Sequence, residues 1–239
     1  MLRRAVRSFC RTRTRQVASQ RKRGSQDAGA RGAVTGGTQM DGFIDLCEQR
    51  VRQAGVPDAA VFRKSKVELP GFFRPTKEWD LLVVADGRLL AAIEAKSQVG
   101  SFGNNFNNRT EEAIGSAVDL WTAYRDGALR DSPQPWLGYV FLLEDCPRSR
   151  QPVAVREPHF EVFPEFRDAS YMKRYELLCR KLIRERHYQG AAFVTSPRRG
   201  GAKGDYAEPA GDLTFDAFAA SLGAHVAGYA ATRGHPTNG

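Results

Sequence analysis

The sequence predicts an α/β fold with a mixed central sheet flanked by helices, and three features carry that prediction. Residues 79–96, WDLLVVADGRLLAAIEAK, read as a β-hairpin: two apolar runs flank Asp86-Gly87, a turn-forming pair. Residues 136–143, WLGYVFLL, are a near-continuous apolar run, the pattern of a strand buried on both faces. Around these lie segments with helical spacing of apolar residues, so strands and helices alternate along the chain.

Composition narrows the function classes. With 239 residues the chain is long enough to bury a full core, and one domain is the expected organisation. No apolar run reaches the roughly 18 residues that span a membrane, so no membrane partner is expected. Cys10, Cys47, Cys146 and Cys179 lie far apart, without a CxxC pair or a histidine at ligand spacing, which reads as reduced thiols rather than zinc or disulfides. The net charge is +9, from 36 basic and 27 acidic side chains. Ten of the basic groups and one acid fall in residues 1–40, leaving 26 of each sign in the remainder. The body is therefore neutral, and any surface for nucleic acid on it must be a local patch.

The first segment, MLRRAVRSFCRTRTRQVASQRKR, is arginine-rich, with Leu2, Val6 and Phe9 on one helical face. Mitochondrial transit peptides share that composition. A basic arm that tracks phosphates and a helix belonging to the fold are the alternatives. Residues 31–37, RGAVTGG, read as a flexible loop whose Arg31 can approach a backbone phosphate. Asp41–Gln53 is an amphipathic helix stopped by Gly55, and Glu48 on it reads as a solvated face residue. A strand over 60–69 and a Pro70-Gly71 turn then deliver the chain to the hairpin.

The hairpin loop decides whether its two acids meet. A two-residue Asp86-Gly87 turn pairs Asp80 with Ile93 and puts Asp80 and Glu94 on opposite faces. A three-residue loop, Ala85-Asp86-Gly87, pairs Asp80 with Ala92 and places Asp80, Glu94 and Lys96 on one face, with Asp80 diagonal to Glu94 at about 7–8 Å. The three-residue loop is the expectation.

Residues 97–109, SQVGSFGNNFNNR, read as a loop rich in hydrogen-bonding side chains. Asn104, Asn105, Asn107, Asn108 and Arg109 are candidates for reading bases, since Asn pairs bidentately with adenine and Arg with guanine in the major groove. Thr110 is expected to cap a helix through Asp126, with Ile114, Ala117, Val118, Trp121 and Tyr124 as its buried stripe. After the strand at 136–143, Glu144 and Asp145 close the strand end. A Pro-punctuated loop, a helix over 171–187, a short strand over 191–195 and a helix over 215–229 follow. Between the last two, the flexible stretch 196–204 carries Arg198, Arg199 and Lys203, which read as solvated surface or a second phosphate-contacting arm.

Hydrolysis of a phosphodiester needs a nucleophilic water, charge neutralisation around the phosphorus and a stabilised leaving oxygen. Two carboxylates holding Mg²⁺ supply the last two, because a hard cation takes oxygen ligands and keeps several waters. A lysine beside the ion can hold the attacking water. An acid, a strand-length spacer and then Glu-x-Lys, here Asp80 with Glu94-Ala95-Lys96, resembles the PD-(D/E)xK nuclease pattern, with Glu78-Trp79 where that pattern has a proline before its first acid.

Longer strings sharpen the resemblance. ELPGFFRPTKEWDLLVV, IEAKSQVGSFGNNFNNRTEEAIGSAVDLWTAYRDGA, PWLGYVFLLEDC and EPHFEVFPEF are similar to the XhoI family of type II restriction endonucleases, as are RGAVTGGTQMDGF and RYELLCRKLIRERHY. The resemblance spans residues 31 to 230 and implies a restriction-endonuclease-like sheet flanked by helices. It implies a homodimer cutting both strands of double-stranded DNA within the palindrome CTCGAG, with Mg²⁺ as cofactor and 5′ phosphates as products. A cognate DNA methyltransferase and a bacterial cytoplasm are implied with it, and the transit-peptide reading of the start gives way to an arm or helix. By position, Asp80 and Glu94 become metal ligands together with the main-chain carbonyl of Ala95, and Lys96 the water-positioning residue. The expected organisation is a basic arm or helix over 1–30, one endonuclease domain over 31–232 and a disordered tail over 233–239. A DNA-binding protein that does not cut, and a non-specific repair or organellar nuclease, are the competing functions.

Overall fold

Two apolar layers sandwich one sheet. The structure, a computed structural model, describes residues 1–22, 37–57 and 60–233. Arg31 and the tail from 234 onward lie outside the described residues. The sheet has five strands: β1 (Val61–Phe62), β4 (Leu81–Ala85), β5 (Arg88–Gln98), β6 (Trp136–Asp145) and β7 (Gly190–Pro197), adjacent in that order. β1, β4 and β5 pair antiparallel, while β5, β6 and β7 pair parallel, so the sheet is mixed as predicted. A separate two-stranded sheet joins β2 (Glu68–Pro70) to β3 (Thr76–Glu78). The single strand expected over 60–69 is thus two short strands that serve different sheets.

Helices cover both faces. On one face, α1 (Leu2–Lys22), α2 (Asp41–Gln53) and α5 (Phe215–Arg233) pack on Leu81, Val83, Leu90, Ala91, Ile93, Val140, Leu142 and Val194. On the other, α3 (Phe102–Arg125) and α4 (Tyr171–Arg184) cover Leu82, Leu89, Ala92, Tyr139, Phe141 and Phe193. β6 supplies side chains to both layers, which is why its sequence is apolar at successive positions instead of alternating. The ring of Trp136 lies against Gly138 and Gly190, where a Cβ would come within 2.3 and 2.6 Å of it.

The basic start of the chain is a helix whose Leu2, Ala5, Val6 and Phe9 are buried in the core shared with α2. Its arginines lie off that stripe: Arg7 Nη2 donates to the Lys203 carbonyl at 3.0 Å and Arg13 Nη2 to the Val99 carbonyl at 3.5 Å. In α3 the buried stripe is Phe102, Arg109, Ala113, Ser116, Ala117, Leu120 and Ala123. It is rotated from the expected one, so Ile114 is exposed and Val118, Trp121 and Tyr124 sit at its margin. Small residues face the sheet because they let the helix approach it closely.

Candidate active site

The hairpin closes with a two-residue turn, not the three-residue loop expected. Asp86 and Gly87 both adopt left-handed conformations (φ 53° and 73°), and Ala85 pairs with Arg88. That turn alone would send Asp80 to the wrong face. The register shifts between Val83 and Val84, however, so that Val84 faces Leu89, Val83 faces Ala91 and Leu81 faces Ile93. Leu90 is the extra residue of this β-bulge: it and Ala91, consecutive in sequence, both enter the same apolar layer. Asp80, one residue before the paired strand begins at Leu81, is consequently on the Glu94 side of the hairpin, close enough for the two charges to interact. Its N–H donates to the Ile93 carbonyl at 3.1 Å, and its Oδ2 accepts from the Ala95 N–H at 2.7 Å.

The acids are held in an uneven electrostatic setting. Burial, and then the Glu94 charge, push the Asp80 carboxyl up to about 6, against the opposing pull of the Ala95 N–H, Lys96 and Lys77. Burial also pushes Glu94 up, but the ammonium groups of Lys96 and Lys77 outweigh it and hold Glu94 below the usual carboxylate range. Burial pulls Lys96 down, while Glu94 more than compensates and holds its ammonium above the usual lysine range. At neutral pH Glu94 and Lys96 are an ion pair, and Asp80 is the group that titrates.

Lys77 also reaches this candidate site, a contact that the sequence did not predict. Its Nζ donates to Glu94 Oε2 at 2.6 Å, while Lys96 pairs with Oε1. Lys77 stands on β3, in the other sheet, and its Nζ lies 4.3 Å from the centre of the Trp79 ring. The only hint in the sequence is a lysine alternating with tryptophan just ahead of Asp80.

The donor set suits a hard divalent cation. Asp80 and Glu94 share a face, and the Ala95 carbonyl leaves β5 on the same edge as its N–H, toward Asp80. Among the described residues no group of three or more acidic, histidine or cysteine side chains forms a complete cage. Two carboxylates fit a Mg²⁺-like ion, which keeps several waters and shares its ligands with substrate phosphates.

The other expected contacts are distributed around this centre. Residues 97–109 are not a loop: β5 continues to Gln98, Gly100 and Ser101 turn the chain with positive φ, and α3 begins at Phe102. Helical spacing decides this, because Phe102, Phe106 and Arg109 point inward, with Phe102 stacked on Tyr171 and Phe106 edge-on to Tyr175. Asn104, Asn107 and Asn108 are left exposed on the first turns, while Asn105 is half-buried and donates to the Ser101 carbonyl at 3.0 Å. Arg109 is buried and paired with Glu112, so it is no open base-reading side chain; its charge acts instead on Lys96 and pulls that ammonium's pKa down. Arg198, Arg199 and Lys203 are exposed beside α1. The stretch 196–204 is not the flexible segment expected: β7 runs to Pro197 and a helical turn covers Arg198–Gly201, which Glu144 ties to the start of α3, accepting from Arg198 Nε at 2.8 Å and from the Gly100 N–H at 2.9 Å. Asp145 pairs with Arg150, and Glu48 with Arg52 and Arg63, so neither joins the centre.

Comparison with known proteins identifies the family of the chain. The family model described as restriction endonuclease XhoI matches residues 19–208. The chain belongs to that family. Type II restriction enzyme BstVI of Geobacillus stearothermophilus is 55% identical over 212 residues, covering 86% of this chain and 95% of its own. Type II restriction enzyme XhoI of Xanthomonas vasicola is 55% identical over 158 residues, 65% of this chain and 64% of its own. Type II restriction enzyme AbrI of Azospirillum brasilense is 51% identical over 160 residues, 66% and 72% respectively. No solved structure matches. As a member of the XhoI family the chain is a type II restriction endonuclease, a site-specific deoxyribonuclease of a class that generally works with a divalent metal. No helix among the described residues is long and apolar enough to cross a membrane.

Proposed function

We propose that the chain cuts both strands of double-stranded DNA at CTCGAG as a Mg²⁺-dependent homodimer, leaving 5′ phosphates. The observation that carries this reading is Asp80 brought beside Glu94 by the bulged hairpin, with Lys96 paired to Glu94. Asp80, Glu94 and the Ala95 carbonyl would hold the ion, which would supply charge neutralisation at the phosphate and a lowered pKa for water. Lys96 orients the attacking water. The water oxygen bonds to phosphorus as the P–O3′ bond breaks; the water loses its proton to solvent and the leaving 3′ oxygen gains one.

Recognition falls to the elements around that centre. Asn104, Asn107 and Asn108, exposed on the first turns of α3, would read base edges. Arg198, Arg199 and Lys203 bind backbone phosphates and set the register without reading sequence. A palindromic target pairs with a two-fold dimer, each copy cutting one strand. The partner activity is a DNA methyltransferase that protects the same site in a bacterial cytoplasm.

One digestion tests this. A plasmid with a single CTCGAG is incubated with Mg²⁺, with EDTA, and after methylation of the site. A single linear product with Mg²⁺ alone, and none from the methylated plasmid, is expected. Retarded but uncut DNA means binding without cleavage, and a smear means a non-specific nuclease; either outcome rejects the proposal.

A further inference from the structure

Glu94 is held by two cations, and only one of them belongs to the Glu-x-Lys pattern. Lys77 reaches Oε2 from a different sheet, in a place where its side chain is 12% and that of Glu94 5% exposed. A buried charge is costly without a partner, and this pair is close and well oriented. The Lys77 ammonium lies over the Trp79 ring, and Nζ makes a second hydrogen bond to the Glu78 carbonyl at 2.9 Å. Lys77 therefore sits on an oxygen that a metal ligand must present to the ion.

Charge counting shows what this arrangement suits. Asp80 and Glu94 carry two negative charges when ionised and Lys77 and Lys96 two positive ones, so the site at rest is balanced. With a divalent ion on the carboxylates the site carries a surplus of two. A phosphodiester removes one of these, and the dianionic five-coordinate phosphorus formed with hydroxide removes both. The four side chains and the ion are thus matched to the transition state and overcharged for the bound substrate, which is the condition for catalysis by differential binding.

We infer that Lys77 is an exchangeable cation of this site: it neutralises Glu94 until a divalent ion takes Oε2, and its released ammonium then serves the reacting phosphate. This rests on the proposed two-carboxylate ion site. Lys77 thereby acts twice, opposing the ion before loading and assisting the reaction after it. Lys96 is a separate cation, because its Nζ pairs with the other oxygen of the same carboxylate.

Calorimetric titration of the full chain with Ca²⁺, in the absence of DNA, tests the first half. Lys77→Met keeps an unbranched side chain of similar length and removes the competitor, so Ca²⁺ is expected to bind at least about 10-fold tighter. Lys77→Arg keeps the charge and grips a carboxylate with two donors, so Ca²⁺ is expected to bind more weakly than to the native chain. This variant keeps the inference testable if Lys77→Met fails to fold. Single-turnover cleavage at saturating Mg²⁺ tests the second half: Lys77→Met is expected to cut at least about 100-fold more slowly although it holds its ion more tightly. A purely structural role moves both measurements in the same direction. Unchanged or weaker Ca²⁺ binding by Lys77→Met, tighter binding by Lys77→Arg, or full-rate cleavage by Lys77→Met overturns the inference alone. Failure of the native chain to bind Ca²⁺, or native affinity in Glu94→Gln, overturns the ion site itself and this inference with it.

Discussion

Replacing Asp80 with asparagine should stabilise the fold while abolishing cleavage. The Asp80 carboxyl, ordinarily near 3.8, is pushed up to about 6 by burial and by Glu94. At about 1.4 kcal/mol per tenfold change in the proton equilibrium, keeping it ionised at neutral pH costs the fold about 3 kcal/mol. Asparagine fits the same volume, carries no charge and can still accept from the Ala95 N–H through its carbonyl oxygen. Its amide gives Lys96 and Lys77 a poorer neighbour than the carboxylate does, so the net gain is set at about 1–3 kcal/mol. For a chain of this size about 2 kcal/mol raises the melting temperature by roughly 4–8 °C. The sign is fixed by the direction of the shift. A carboxyl whose folded pKa is raised binds more protons in the native state, so its penalty is absent below about 3.8 and complete above about 6. Thermal melts of the native chain and Asp80→Asn in EDTA should therefore diverge at pH 7.5 and nearly coincide at pH 4. Added Mg²⁺ should close the gap by stabilising only the native chain. A lower melting temperature for Asp80→Asn at pH 7.5, or an equal advantage at both pH values, refutes the electrostatic account of this site.

Three further outcomes follow from the same geometry. Glu94→Gln and Lys96→Ala should each lower cleavage by at least about 100-fold while still retarding a CTCGAG duplex in Ca²⁺, read by gel shift; loss of retardation assigns them to binding instead. Asp119→Ala removes the acceptor that the Phe72 and Phe73 N–H groups and Arg74 Nε share at 2.6–2.8 Å, loosening the turn that leads to Lys77. It should cost about 2–4 kcal/mol in urea denaturation, and a cost below about 1 kcal/mol means the turn is held by other contacts. Arg199→Ala with Lys203→Ala should weaken DNA binding evenly across sequences and reduce the slope of log affinity against log salt by about 2, whereas an unchanged slope removes those side chains from the phosphate contacts.

The elements legible in the sequence are those fixed by local spacing. Phe43, Ile44, Cys47 and Val51 recur at helical intervals, and α2 occupies the residues expected for it. Residues 136–143 are apolar at every position but Gly138, and they form β6, an interior strand covered on both faces. Local signals failed where two of them competed. In residues 101–109 the asparagines and glycines suggest a loop, but Phe102, Phe106 and Arg109 carry a helical repeat, and burial against Tyr171 and Tyr175 decides for the helix.

The candidate site divides along the same line. Asp80, Glu94 and Lys96 were identifiable from the sequence because a short pattern on adjacent strands carries them. Their meeting was not settled by it, because the Asp86-Gly87 turn by itself puts the two acids on opposite faces. The turn favours two residues, while the apolar layer needs Leu81, Ile93 and Ala95 on its own side. Both demands are met only by letting Leu90 bulge, and a demand made by a whole layer is invisible to any window of local sequence. Lys77 is the stronger case. It lies in another sheet, its partner is 17 residues away, and nothing between them has a period to read. The sequence by itself determined the longer strands, most of the helices and the candidate acids and lysine, since each is a property of neighbouring residues. The tertiary structure alone decided the register that joins the acids and the second cation that guards them, since both depend on which layers close over the sheet.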